Sequence, residues 1–128
     1  MTLVLAAALL GGCSRPPVHV SGPFYVGTLA ETNDVYLIRC PHGPDEGCAV
    51  DGLPGPRIVA AGANGRYIVV AQAGDSDDQE RRYFYFARVP QEVAGWGNNP
   101  ERIVGPLTQA EFDKAAHDLH LPPLTIRR

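Results

Sequence analysis

The 128-residue sequence has no opening apolar run able to stay in a bilayer. Leu3 to Leu10 (LVLAAALL) covers only eight residues, where a spanning helix needs about 20. It also lacks a marked charge imbalance. With 11 basic side chains against 14 acidic ones, it carries no electrostatic footprint for nucleic acid. Serine is scarce: Ser14, Ser21 and Ser76 are the only three, and none sits in the Gly-x-Ser-x-Gly elbow of a hydrolase. Neither a Walker loop nor a dinucleotide fingerprint is present, because the glycines fall in turns. Twelve prolines and fourteen glycines leave little room for long helices.

What is there begins with the apolar run itself, which ends in Gly11-Gly12 before Cys13. A short apolar core followed by small residues has the pattern of a secretory signal. Leu10-Gly11-Gly12-Cys13 resembles a bacterial lipobox. The resemblance implies cleavage ahead of Cys13, a diacylglyceryl group on its sulfur and an acylated new N-terminus. Such chains contribute about 0.8 kcal/mol per buried methylene, so two of them hold a protein on a membrane without any spanning helix. Removing Met1 to Gly12 from 128 residues leaves 116, the size of one ordinary domain. The expected organisation is a signal peptide over 1–12, a lipidated cysteine with a flexible Pro/Ser/Gly-rich tether over 13–23, and a single globular periplasmic domain over 24–128.

With Cys13 assigned to lipid, Cys40 and Cys48 remain. In an oxidising compartment such a close pair reads as a disulfide. Closing a loop of about nine residues stabilises the fold by about 2–3 kcal/mol in the chain-entropy model. A zinc site using Cys40, His42 and Cys48 with Asp45 or Glu46 is the rival, and it fails on spacing.

Five segments have strand character: Phe24 to Ala30, Val35 to Cys40, Arg57 to Ala61, Tyr67 to Ala73 and Tyr83 to Val89. They are rich in β-branched and aromatic residues and separated by turn-forming clusters. Gly62-Ala63-Asn64-Gly65 joins the third to the fourth, and its Asn-Gly step predicts a tight hairpin with positive φ angles. Later, Thr108 and Glu111 have the spacing of a capping box. The spacing predicts a helix from there to about His120, ended by Pro122-Pro123, with Phe112, Ala115, Ala116 and Leu119 on one apolar stripe. Leu124 to Ile126 adds an edge strand. The expected fold class is α+β, mainly β: a small antiparallel sheet of about five strands with one C-terminal helix packed on it. The segments GRYIVVAQ, YFYFARV and VGPLTQAEFDKAAHDLHLP are similar to those of small, uncharacterised bacterial lipoproteins. That similarity implies the architecture and no activity.

Candidate chemistry is sparse. Asp113, His117 and His120 stand at i, i+4 and i+7 of the expected helix, a weak candidate for a metal against a solvated flank. Asp75 to Glu80 is acidic, yet it lacks the glycine and glutamate positions of a calcium loop. Carboxylate pairs for glycoside hydrolysis are placed by the fold rather than by spacing and stay open. Binding features are clearer. Tyr83 and Tyr85 share one face of their strand and Phe84 and Phe86 the other, so one face meets the helix while the second is covered or offered to a partner. Trp96, between Gly95 and Gly97, is either an interface anchor or a plug on the core. The loop over His42, Asp45 and Glu46, closed by the cysteine pair and stiffened by two prolines, has little freedom to lose on binding.

The expectation is a lipid-anchored, non-catalytic cell-envelope protein without cofactor. It faces the periplasm, on the outer membrane, and binds an unidentified envelope protein as an inhibitor, immunity or assembly factor. Its other partner is the membrane that holds its anchor, with no role for nucleic acid. The alternative is a metal-dependent or hydrolytic periplasmic enzyme.

Overall fold

Tyr67-Ile68-Val69-Val70-Ala71-Gln72 has four consecutive buried residues, a pattern that a strand shows only when both of its faces are covered. The computed structural model, which describes residues 15–76, 80–89 and 102–128, shows why. This strand, β5 (Tyr67–Gln72), is the middle of a five-stranded antiparallel sheet. Its companions are β4 (Ile58–Ala63), β6 (Arg82–Ala87), β7 (Val104–Leu107) and the two-residue β8 (Ile126–Arg127), in the order β7-β6-β5-β4-β8. A second antiparallel sheet holds β1 (Val18–Ser21), β2 (Phe24–Thr28) and β3 (Val35–Arg39) in sequence order. One helix, α1 (Gln109–Leu119), follows β7.

The class is therefore mainly β with a C-terminal helix on the sheet, as expected. The described strands number eight in two sheets, not about five in one. One added strand, β1, lies inside the segment read as a flexible tether. Val18 and His19 pair with Val26 and Tyr25, so folded structure begins at least six residues earlier than the Phe24 boundary. Alternation within three residues is too short to distinguish from a loop, and only pairing with β2 makes it a strand.

The strands arrange their side chains in three layers. Facing the small sheet, Ile58, Ala61, Ile68, Val70 and Phe86 pack with Phe24, Val26 and Leu37. Phe24 meets Phe86 edge-on at 5.2 Å between ring centroids, and the Arg39 guanidinium, itself buried, lies 5.4 Å from the Phe24 ring centre. Each such fully buried aliphatic or aromatic side chain contributes about 1.5–3 kcal/mol. On the opposite face, Ala60, Val69, Ala71 and Tyr83 are covered by Phe112 of α1, with Leu121 and Leu124 beyond it. The helix starts where the sequence predicts. Thr108 accepts from the Glu111 backbone N–H, and the Glu111 carboxylate accepts from the Thr108 N–H. His120 closes it in a left-handed conformation, with φ 54°.

The β4–β5 connection corrects one expectation. Strand β4 continues through Gly62 and Ala63, leaving a loop of Asn64, Gly65 and Arg66, and neither Asn64 nor Gly65 has a positive φ. The turn is held by a side chain: Asn64 Oδ1 accepts from the N–H groups of Arg66 and Tyr67, both at 2.8 Å, an Asx-type arrangement. Gly62 is needed for another reason. A Cβ there would run into the backbone carbonyl of Pro123, so this glycine lets the segment after α1 cross β4 before pairing as β8.

Candidate functional site

Arg39 and Ala49 exchange both backbone hydrogen bonds at 2.8 Å, and this isolated bridge is the root of the most constrained loop in the described chain. Cys40, buried at the end of β3, is disulfide-bonded to exposed Cys48, with their Cα atoms 4.3 Å apart. Within the ring, Gly43 donates to the Cys40 carbonyl and Glu46 to the Gly43 carbonyl, and Pro44–Glu46 form one 3-10 turn. Gly43 and Gly47 flank that turn at φ 94° and 99°, a region that favours glycine. His42, Asp45 and Glu46 are all exposed. The three residues singled out from the sequence thus share a small, covalently closed, solvent-facing surface with two carboxylates at its crown.

The other sequence-derived candidates fare differently. Tyr83 is only 6 % exposed, stacked beneath Phe112 of the helix and donating its hydroxyl to Gln109 Oε1; it is core, not a partner surface. Tyr85 is half-buried beside Tyr67, their rings near-perpendicular at 6.2 Å. The tyrosine face of β6 is accordingly covered by α1 at Tyr83 and only partly so at Tyr85, and the phenylalanine face packs toward the small sheet. Trp96 and Cys13 lie outside the described residues.

Asp113, His117 and His120 do not assemble into a ligand set. Asp113 accepts from Gln109 Nε2 at 2.8 Å. His120 leaves the helical path as the left-handed cap, which rotates its side chain off the flank shared by the other two. Among the described residues no group of three or more His, Cys, Asp or Glu is gathered as a metal ion requires. In the acidic segment, Asp75 is engaged by Arg57, whose Nη2 donates to it at 2.5 Å.

One surface has no counterpart in the sequence reading. Between α1 and the β6–β7 edge runs an open, mainly apolar groove of about 390 Å³, formed by Tyr85, Val104, Leu107, Ala115 and Leu119 with Glu111, Lys114 and Asp118 around it. Val104 and Leu119 are its exposed apolar residues. The available signal was Leu119, which ends the helical stripe beyond the point where Phe112 fills the contact with the sheet. On the rim, Lys114 donates to Asp118 at 2.7 Å. That hydrogen bond, and then the attraction between the charges, holds the Asp118 carboxyl below its ordinary pKa and raises the Lys114 ammonium above its own.

No helix among the described residues is long and apolar enough to cross a membrane. Compared with known proteins, the chain matches no family model, no curated protein and no solved structure.

Proposed function

We propose that this chain is a lipid-anchored protein of the bacterial cell envelope, held at Cys13 and acting by binding another protein. Its place is the periplasmic side of the outer membrane, and its role that of an inhibitor, immunity factor or assembly accessory. The lipobox-like Leu10-Gly11-Gly12-Cys13 supports the anchor. A disulfide between Cys40 and Cys48 is in keeping with an oxidising compartment.

The observation that carries the binding reading is the disulfide-closed loop. Asp45 and Glu46 stand exposed on a turn whose two ends are fixed by the Cys40–Cys48 bond and the Arg39–Ala49 bridge. A loop already held in one conformation loses little entropy on recognition. Its two carboxylates select a partner with a basic, Arg- or Lys-lined site.

Two measurements in the producing cell test this. Palmitate should label the wild-type chain, with Cys13→Ser abolishing both the label and retention in the membrane fraction. A photo-crosslinking residue at position 45 should give one discrete protein adduct, competed by excess unlabelled protein, whereas the same residue at position 65 gives none. An unlabelled wild-type chain overturns the anchor, and equal adducts from both positions overturn the loop as the binding element.

A further inference from the structure

Arg128 joins the two sheets at one end of the molecule. Its backbone N–H donates to the Val59 carbonyl of β4 at 3.0 Å. Its guanidinium reaches across to the small sheet, where Nη1 donates to the Pro16 carbonyl at 3.4 Å and Nη2 to Thr28 Oγ1 at 3.3 Å. By Pro16 the chain is thus already tied to the folded part. Three residue steps separate Cys13 from Pro16, and a fully extended chain covers at most about 11 Å in that length. A lipid anchor at Cys13 would hold this end of the domain within about one Debye length of the headgroups.

The same end is basic. Arg15 and Arg127 are exposed and Arg128 is half-buried, so three of the chain's eleven basic residues belong to the two chain segments that the Arg128–Pro16 contact ties together. Arg15 lies close enough to Arg128 that, after desolvation, its charge is what opposes protonation there. Two guanidiniums so placed call for an anionic surface between or beneath them. The opposite end is well separated, since β4 continues from Val59 to Ala63, four residues or about 13 Å further along, before the 64–66 loop.

We propose that Arg15, Arg127 and Arg128 form a headgroup-contacting face that seats the domain on anionic phospholipid of the membrane carrying its anchor, so that the protein stands in a fixed orientation. This rests on the lipid anchor at Cys13. Each arginine near such a surface strengthens the attraction about fivefold. The seated orientation points residues 64–66 and the helix end away from the lipid.

The test uses the lipidated full chain in nanodiscs doped with a gadolinium-chelating lipid, and reads the relaxation enhancement of each amide. With phosphatidylglycerol present, enhancement should be strongest at residues 15–19 and 126–128 and weakest at residues 64–66. In pure phosphatidylcholine discs, or with Arg15, Arg127 and Arg128 all changed to Gln, the contrast between the two ends should collapse, and Lys at the three positions should restore it. Arg15→Gln alone precedes every strand and should lower the contrast while leaving amide positions in β1 to β8 unchanged. A contrast that persists in neutral discs or in the triple Gln variant overturns the proposal. Failure of the anchor is seen separately, as a chain without palmitate; a palmitoylated chain without contrast overturns the headgroup contact alone.

Discussion

The rings of Tyr83 and Phe112 lie face to face, with centroids 4.7 Å apart and planes 13° from parallel. The Tyr83 hydroxyl reaches past this stack to Gln109 Oε1. Phe112 is the helix's buried residue, so this pair is the main fastening of α1 to β6.

Phe112→Ala should therefore cost about 3–5 kcal/mol, the range for removing a buried aromatic, read as a lower urea midpoint with helical circular dichroism lost first. Tyr83→Phe keeps the stack and removes only the hydroxyl. Its cost should be about 1 kcal/mol, the net value of one hydrogen bond.

Two glycines three positions apart should respond with opposite sign. Gly62→Ala drives a methyl group into the Pro123 carbonyl, where backbone cannot yield cheaply, and should destabilise by at least about 1–3 kcal/mol. Gly65 has open space around its Cα and no left-handed φ. Gly65→Ala should be neutral or stabilising by up to about 1 kcal/mol, because it narrows the unfolded ensemble. Paired thermal unfolding curves decide this.

Much of this chemistry was legible in the sequence. Thr108 and Glu111 announced the start of α1 because a capping box is a local contract between residues three apart, and the Cys40–Cys48 pair was readable for the same reason. Strand β1 and the division into two sheets were not, since they depend on which strands lie across from Phe24 and Phe86. The groove at Val104 and Leu119 was hidden likewise, being made by α1 and β7 only after the helix has docked. Asn64-Gly65 misled in detail: the dipeptide does turn the chain, through the Asn64 amide instead of a positive φ.

Removing the Cys40–Cys48 bond as a double Ala variant should lower stability by about 2–3 kcal/mol, the chain-entropy value for a loop of this length. Since Cys40 is buried and Cys48 exposed, reduction should begin from the Cys48 side. Mass spectrometry after brief thiol treatment should find a mixed disulfide at Cys48 ahead of Cys40.

The Lys114–Asp118 pair gives a pH signature. The hydrogen bond from Lys114 lowers the Asp118 pKa, so whatever stability it lends is present above the unfolded aspartate pKa and is lost as pH falls through the folded one. The raised Lys114 pKa acts conversely, with its contribution lost as pH rises through the folded value. Both groups are exposed, so salt should weaken the effect. A carboxyl NMR titration should find Asp118 below an ordinary aspartate, rising toward normal in Lys114→Ala, where the His117 charge alone still lowers it.

Asn64 serves two distant parts of the chain at once. Its Oδ1 gathers the turn between β4 and β5, while its Nδ2 donates at 3.3 Å to the carbonyl of His120, 56 residues away, where α1 ends. The hairpin tip and the helix terminus are thereby one opening unit. Neither can fray alone without releasing the same amide, so their hydrogen-exchange rates should rise and fall together. A protease that nicks one should expose the other.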